Sequence, residues 1–145
     1  ENTNNPHDGW AAIVNSGLKP NGRAKCFKIP HHGSKSAHDR NVWDKMIERE
    51  HVSILAPFVR GNTILPNKDD VERICSLSAD SYATASIRTR RARRDRAVEK
   101  TIREIGIDIR VANPTFGQVR VRIDEDGAWR INLFLDARPL RDIYN

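Results

Sequence analysis

Trp10, Ile13 and Val14 recur at helical spacing behind Asp8, which predicts a short amphipathic helix with Asp8 as N-cap and Ser16-Gly17 as its stop. Gly17 to Gly22, with Pro20 and Asn21, is turn chemistry. Ala24 to Pro30 sets apolar Cys26, Phe27 and Ile29 among lysines in a strand-like pattern, and this strand delivers His31 and His32 at its C-terminal end. Asp39 is placed to cap a second helix with Trp43, Met46 and Ile47 on one face, and Val52 to Pro57 is a short apolar strand ended by proline. After a Gly61-Asn62 loop, Asn67 predicts the cap of a third helix. Asp69, Asp70 and Glu72 stand in its electropositive first turn, and Val71, Ile74, Cys75 and Leu77 face inward. Ser81 to Ala85 reads as another brief strand. Helix and strand in alternation imply a layered α/β arrangement.

The pattern breaks at residues 88 to 96, Arg-Thr-Arg-Arg-Ala-Arg-Arg-Asp-Arg, which hold six arginines and no large apolar residue and cannot be a core element. Val98, Ile102 and Ile105 then return to helical spacing, with Gly106 as the stop. Ile107, Ile109 and Val111 alternate, and Asn113-Pro114 turns the chain. Val119, Val121 and Ile123 alternate before Asp126-Gly127, and Trp129, Ile131, Leu133 and Leu135 after it, predicting an antiparallel hairpin with one buried face.

A chain of 145 residues is expected to form one domain, or part of a larger one. Its first residue is Glu1 with no apolar or arginine-rich targeting segment after it, so a cut or processed end is expected. No apolar run approaches the roughly 18 residues of a membrane span. Cys26 and Cys75 stand apart in no CxxC or Cys/His spacing and read as reduced, buried small residues, which favours a soluble cytoplasmic protein. The net charge of +6 is uneven. Residues 1 to 84 carry 11 Lys/Arg against 10 Asp/Glu, whereas residues 85 to 145 carry 14 against 9.

Two adjacent histidines at a strand end, followed by Gly33 and Ser34, suit metal binding or proton transfer, because the strand fixes them and glycine permits close backbone approach. Taken alone, the plainer reading is a pair in which one ring packs and the other is solvated. Lys28-Ile-Pro-His-His-Gly-Ser-Lys35 resembles the late histidine motif of the metallo-β-lactamase superfamily. The branch in question includes the hydrolase-like domain of bacterial DNA-uptake (competence) proteins and phosphorylcholine esterases. The resemblance extends in element order over residues 24 to 79, about 60 residues, and more weakly to Gln118 to Arg122, which resembles the family's closing strand.

The resemblance implies the C-terminal half of an αββα sandwich: a mixed sheet with helices on one face and a C-terminal antiparallel hairpin. It implies His32 as a metal ligand, and His31 as a neighbouring ligand or as the proton donor to the leaving group, with the order of the two interchangeable. The implied cofactor is zinc, as one or two ions, with manganese the other candidate. Where the family often has a His-Pro pair in the later turn this chain has Leu65-Pro66; His38 is a stand-in, against the reading of a solvated N-terminal histidine. The family's His-x-His-x-Asp-His motif, middle histidine and bridging aspartate are absent from residues 1 to 30; Asp8 is the nearest substitute, and its capping role accounts for it otherwise. A catalytic zinc needs about three protein ligands and an open position. The chain alone is therefore expected to be inactive, its partner being a missing N-terminal half or a second chain. The implied chemistry is hydrolysis by metal-bound hydroxide, with phosphoester or nucleic-acid substrates favoured.

Residues 86 to 106 read as a basic insertion. Arg88, Arg90, Arg91, Arg93, Arg94 and Arg96 could neutralise several phosphates, giving salt-dependent contact with nucleic acid. No aromatic residue is interleaved for base stacking, so a solvated face or a surface for an acidic partner stands beside that reading. A basic interaction module without catalysis, working through Arg88 to Arg96, is the competing function. An oligomer is a third expectation, since half a sandwich would leave an apolar sheet face open.

Overall fold

The computed structural model of the chain describes residues 7–60, 62–87, 95–106 and 116–145. Helix α1 (Gly9–Asn15) leads to β1 (Ala24–Lys28), a tight turn at His31–Gly33, and α2 (Arg40–Met46). The chain continues through β2 (Ile47–Leu55), β3 (Phe58–Arg60), β4 (Thr63–Leu65), α3 (Lys68–Leu77) and β5 (Asp80–Ala83). Helix α4 (Arg96–Ile105), β6 (Gly117–Ile123), β7 (Trp129–Leu135) and β8 (Arg138–Pro139) complete it. The architecture is α/β with a mixed sheet. β1, β2 and β5 run parallel, and β8 closes the order β1-β2-β5-β8 as an antiparallel edge. β3 pairs with β4 and β6 with β7 as separate antiparallel ribbons.

Local chemistry explains most element ends. The Asp39 carboxylate accepts from the Asn41 N–H and starts α2, satisfying a donor that the helix itself leaves free. Asn67 and Asp70 form a reciprocal capping box at α3, each side chain accepting from the other's backbone N–H. Gly106 ends α4 in the left-handed conformation (φ 69°). Leu55, Ile74, Leu140 and Ile143 are fully buried, with Val42 and Trp43 of α2 and Val14 of α1 in the same core.

Four expectations are corrected. Cys26 is exposed and Cys75 half-buried, both as free thiols. Cys26 alternates with Phe27, whose ring takes the covered side of β1 against Trp10 and Trp43. Ile47 does not continue α2: it is already strand, and β2 begins five residues earlier than the apolar run suggests because polar Glu48-Arg49-Glu50 are extended too. Asp8 holds the N-cap position of α1 without a capping bond, and Ile13 is 45% exposed. The hairpin face expected to be buried is only half-covered, with Val119, Val121, Trp129 and Ile131 partly buried. Ile123, Leu133 and Leu135 of β6 and β7 are 50%, 38% and 79% exposed, although the pairing Val119↔Leu133 and Val121↔Ile131 puts the apolar side chains on one side as expected. The expected strand at Ile107 to Val111 and the Asn113-Pro114 turn lie outside the described residues. Among those described, no helix is long and apolar enough to cross a membrane.

Candidate active site

The parallel pairing of β1 with β2 fixes the address of the histidines. Lys28 lies opposite Ile54, and the Ile29 N–H donates to the Ile54 carbonyl at 2.8 Å, so the residues after β1 emerge beside Ala56 at the carboxyl end of β2. In open α/β sheets, ligands bind outside these carboxyl ends. Here the backbone turns through three consecutive left-handed residues: His31 (φ 47°), His32 (φ 55°) and Gly33 (φ 84°). Glycine adopts this conformation at no cost, but two histidines in succession store strain of about 1–3 kcal/mol each, which persists only where the surroundings enforce it.

Several bonds enforce it. The Gly33 N–H donates to the Pro30 carbonyl and the Ser34 N–H to the His31 carbonyl, both at 3.0 Å. His32 Nδ1 lies 2.8 Å from the Ala56 carbonyl oxygen. A carbonyl only accepts, so Nδ1 carries the proton and the lone pair of the neutral ring is at Nε2. The same ring stacks on Phe58, centroids 5.1 Å apart. His31 Nδ1 lies 3.1 Å from the Ser36 hydroxyl, which is itself 3.1 Å from that of Ser34. A hydroxyl can donate or accept, so this contact orients the His31 ring without setting its tautomer. The two rings stand with centroids 6.4 Å apart and planes inclined at 52°.

That separation tests the fit to a metal. With zinc–nitrogen bonds near 2.1 Å, two imidazoles on one tetrahedral ion have centroids roughly 5.3 Å apart. The pair is thus about an ångström too open to grip one ion jointly as it stands. His32, with its Nδ1–H held by a main-chain carbonyl, has the support typical of a histidine ligand. His31, on a hydroxyl that can donate or accept, is held without a fixed tautomer. Among the described residues, no group of three His, Cys, Asp or Glu side chains converges as a metal site.

His38 does not join the pair. It lines a narrow cleft with Trp10, Phe27, Trp43, Ser34 and Arg73, with about 10 Å³ of space for water, and its ring lies 6.4 Å from that of Trp43. Burial, then the positive charge of Arg73, lowers its pKa below the ordinary value. Leu65-Pro66 supplies packing: Pro66 is fully buried against the Gly33 turn. Of the arginines expected to meet phosphate, Arg88, Arg90, Arg91, Arg93 and Arg94 lie outside the described residues; Arg96 is exposed at the start of α4.

The sequence missed Arg73, Ser36, Phe58 and the Ala56 carbonyl. Arg73 carried one signal, a position three residues after Asp70 on a helix, where an ion pair forms readily. The Ala56 carbonyl and Phe58 act across 24 and 26 residues of chain and Ser36 through loop geometry, and no spacing rule reports them. Comparisons with known protein families, curated proteins and solved structures found no match.

Proposed function

We propose that this chain is the C-terminal part of a metal-dependent hydrolase of the metallo-β-lactamase fold, cytoplasmic, acting on a phosphoester or nucleic acid. The observation that carries the reading is the strained left-handed turn His31–Gly33, held at the carboxyl end of a parallel strand with the His32 Nδ1–H tied to the Ala56 carbonyl. Strain of this kind clusters at functional sites. In this reading the mixed sheet and its helices are half of the αββα sandwich. The remaining ligands come from a missing N-terminal half or a partner chain.

Each residue then has a task. His32 contributes Nε2 as a ligand, with the Ala56 carbonyl fixing the ring and its tautomer. His31 delivers a proton to the leaving group while Ser36 holds its far nitrogen. Gly33 lets the backbone pass against Leu55, Pro66 and Ile74. A bound zinc or manganese ion would acidify water and polarise the scissile oxygen.

The test uses the product of the complete gene. It is expected to carry near-stoichiometric zinc or manganese and to hydrolyse bis(p-nitrophenyl) phosphate, and His32→Ala abolishes both. Metal-free protein whose salt-sensitive DNA binding survives His32→Ala would overturn the reading in favour of a basic module. That alternative draws support from α4, where Arg96, Lys100 and Arg103 line one exposed surface together with Glu104, which pairs with Lys100.

A further inference from the structure

We infer that Arg73 is the positioning residue of the histidine turn, and that Asp70 aims it. This rests on the reading of His31 and His32 as the working pair. Arg73 Nη2 donates to the Gly33 carbonyl at 2.6 Å and to Asp70 Oδ1 at 2.8 Å, joining α3 to a turn 40 residues earlier in the chain. The Asp70 side chain is 4% exposed and that of Arg73 20%. Asp70 is itself immobilised, its Oδ2 accepting from the Asn67 N–H at 3.2 Å and its own N–H donating to Asn67 Oδ1 at 2.8 Å. The order of support is thus Asn67, Asp70, Arg73, Gly33.

The geometry explains why the turn needs this support. His31 and His32 gain by leaving the left-handed region, and the bonds from Gly33 N–H to Pro30 and from Ser34 N–H to His31 are internal to the turn, so they can be lost together with it. Arg73 comes from a separate, capped helix whose Val71 and Ile74 are buried in the core. Its bond to the Gly33 carbonyl is charge-assisted and shielded, which makes it stronger than a neutral bond in water. With Gly33 pinned between Arg73 on its carbonyl and Ile74, Leu55 and Pro66 around its α-carbon, the peptide before it is oriented, and that orientation brings His32 Nδ1 onto the Ala56 carbonyl. Arg73 acts through the turn and does not itself meet the reacting atoms.

The experiment reads the His32 ring directly. Nitrogen-15 NMR of the full 145-residue chain is expected to show His32 as a single Nδ1–H tautomer. Arg73→Gln is expected to broaden or split that signal, shift it towards the mixture found in free imidazole, and weaken Zn²⁺ binding in titration at least tenfold, in line with the loss of an outer support of a ligand. Asp70→Asn, which leaves Arg73 an acceptor, moves the signal less. If Arg73→Gln does not fold, Arg73→Lys keeps the charge against Asp70 on a shorter side chain whose Nζ does not reach the position from which Nη2 meets both acceptors, and carries the same test. A folded Arg73 variant with unaltered His32 signal and Zn²⁺ affinity overturns the inference. If the wild-type chain and the complete gene product take up no Zn²⁺ but the His32 signal still responds to Arg73→Gln, the positioning role stands and the hydrolase reading fails.

Discussion

A β-carbon at Gly33 would stand 3.0 Å from Ile74 Cδ1, with Leu55 Cδ2 at 3.1 Å and Pro66 Cβ at 3.4 Å. The site's tightest turn is therefore built directly on the fully buried core. At φ 84° a side chain is strained before any contact is counted, and both neighbouring leucine and isoleucine are wedged in place. Gly33→Ala is expected to lower stability by about 2–4 kcal/mol, combining left-handed strain with overpacking, as read by urea unfolding. A loss under about 1 kcal/mol would mean that the turn relaxes easily.

The apolar residues of this chain divide sharply by energetic weight. Leu55 is fully buried on a central strand, so Leu55→Ala is expected to cost about 2–5 kcal/mol. Leu135, on the hairpin, is 79% exposed, and Leu135→Lys is expected to change stability by less than about 0.5 kcal/mol. Chemical denaturation of both variants in the isolated chain checks the contrast. A large cost for Leu135→Lys would show that the hairpin face is covered after all.

His38 gives the fold an acid-sensitive point. Its pKa is lowered by burial and by the charges of Arg73, Arg40 and Lys35, with Asp39 opposing. The folded chain therefore holds its proton less tightly than the unfolded chain does. The resulting stability is fully present above the ordinary pKa of 6.5 and is lost as pH falls below it, through the lowered folded value. Unfolding midpoints measured from pH 7.5 to 5 are expected to fall, and His38→Gln flattens that part of the profile. An identical slope in His38→Gln would assign the acid sensitivity elsewhere.

Much of the candidate site was legible because its chemistry is local. Pro30-His31-His32-Gly33-Ser34 is contiguous, follows a strand pattern, and contains the glycine that the left-handed turn uses. The caps at Asp39 and Asn67, the stop at Gly106 and the turn at Asp126-Gly127 were equally local, since each satisfies a backbone group within a few residues. By contrast, the role of Arg73 depends on α3 packing beside a turn 40 residues away, and the Ala56 carbonyl is no different in sequence from any other.

By itself the sequence determined most of the helices and strands and the alternation that implies a layered α/β arrangement, because hydrophobic period and capping are properties of neighbours along the chain. Only the tertiary structure decided that the two imidazoles stand 6.4 Å apart, that His32 presents Nε2, that Cys26 is open and that the hairpin's apolar side is only partly covered. Those facts follow from which surfaces meet, and burial is settled by what lies across from a residue in space.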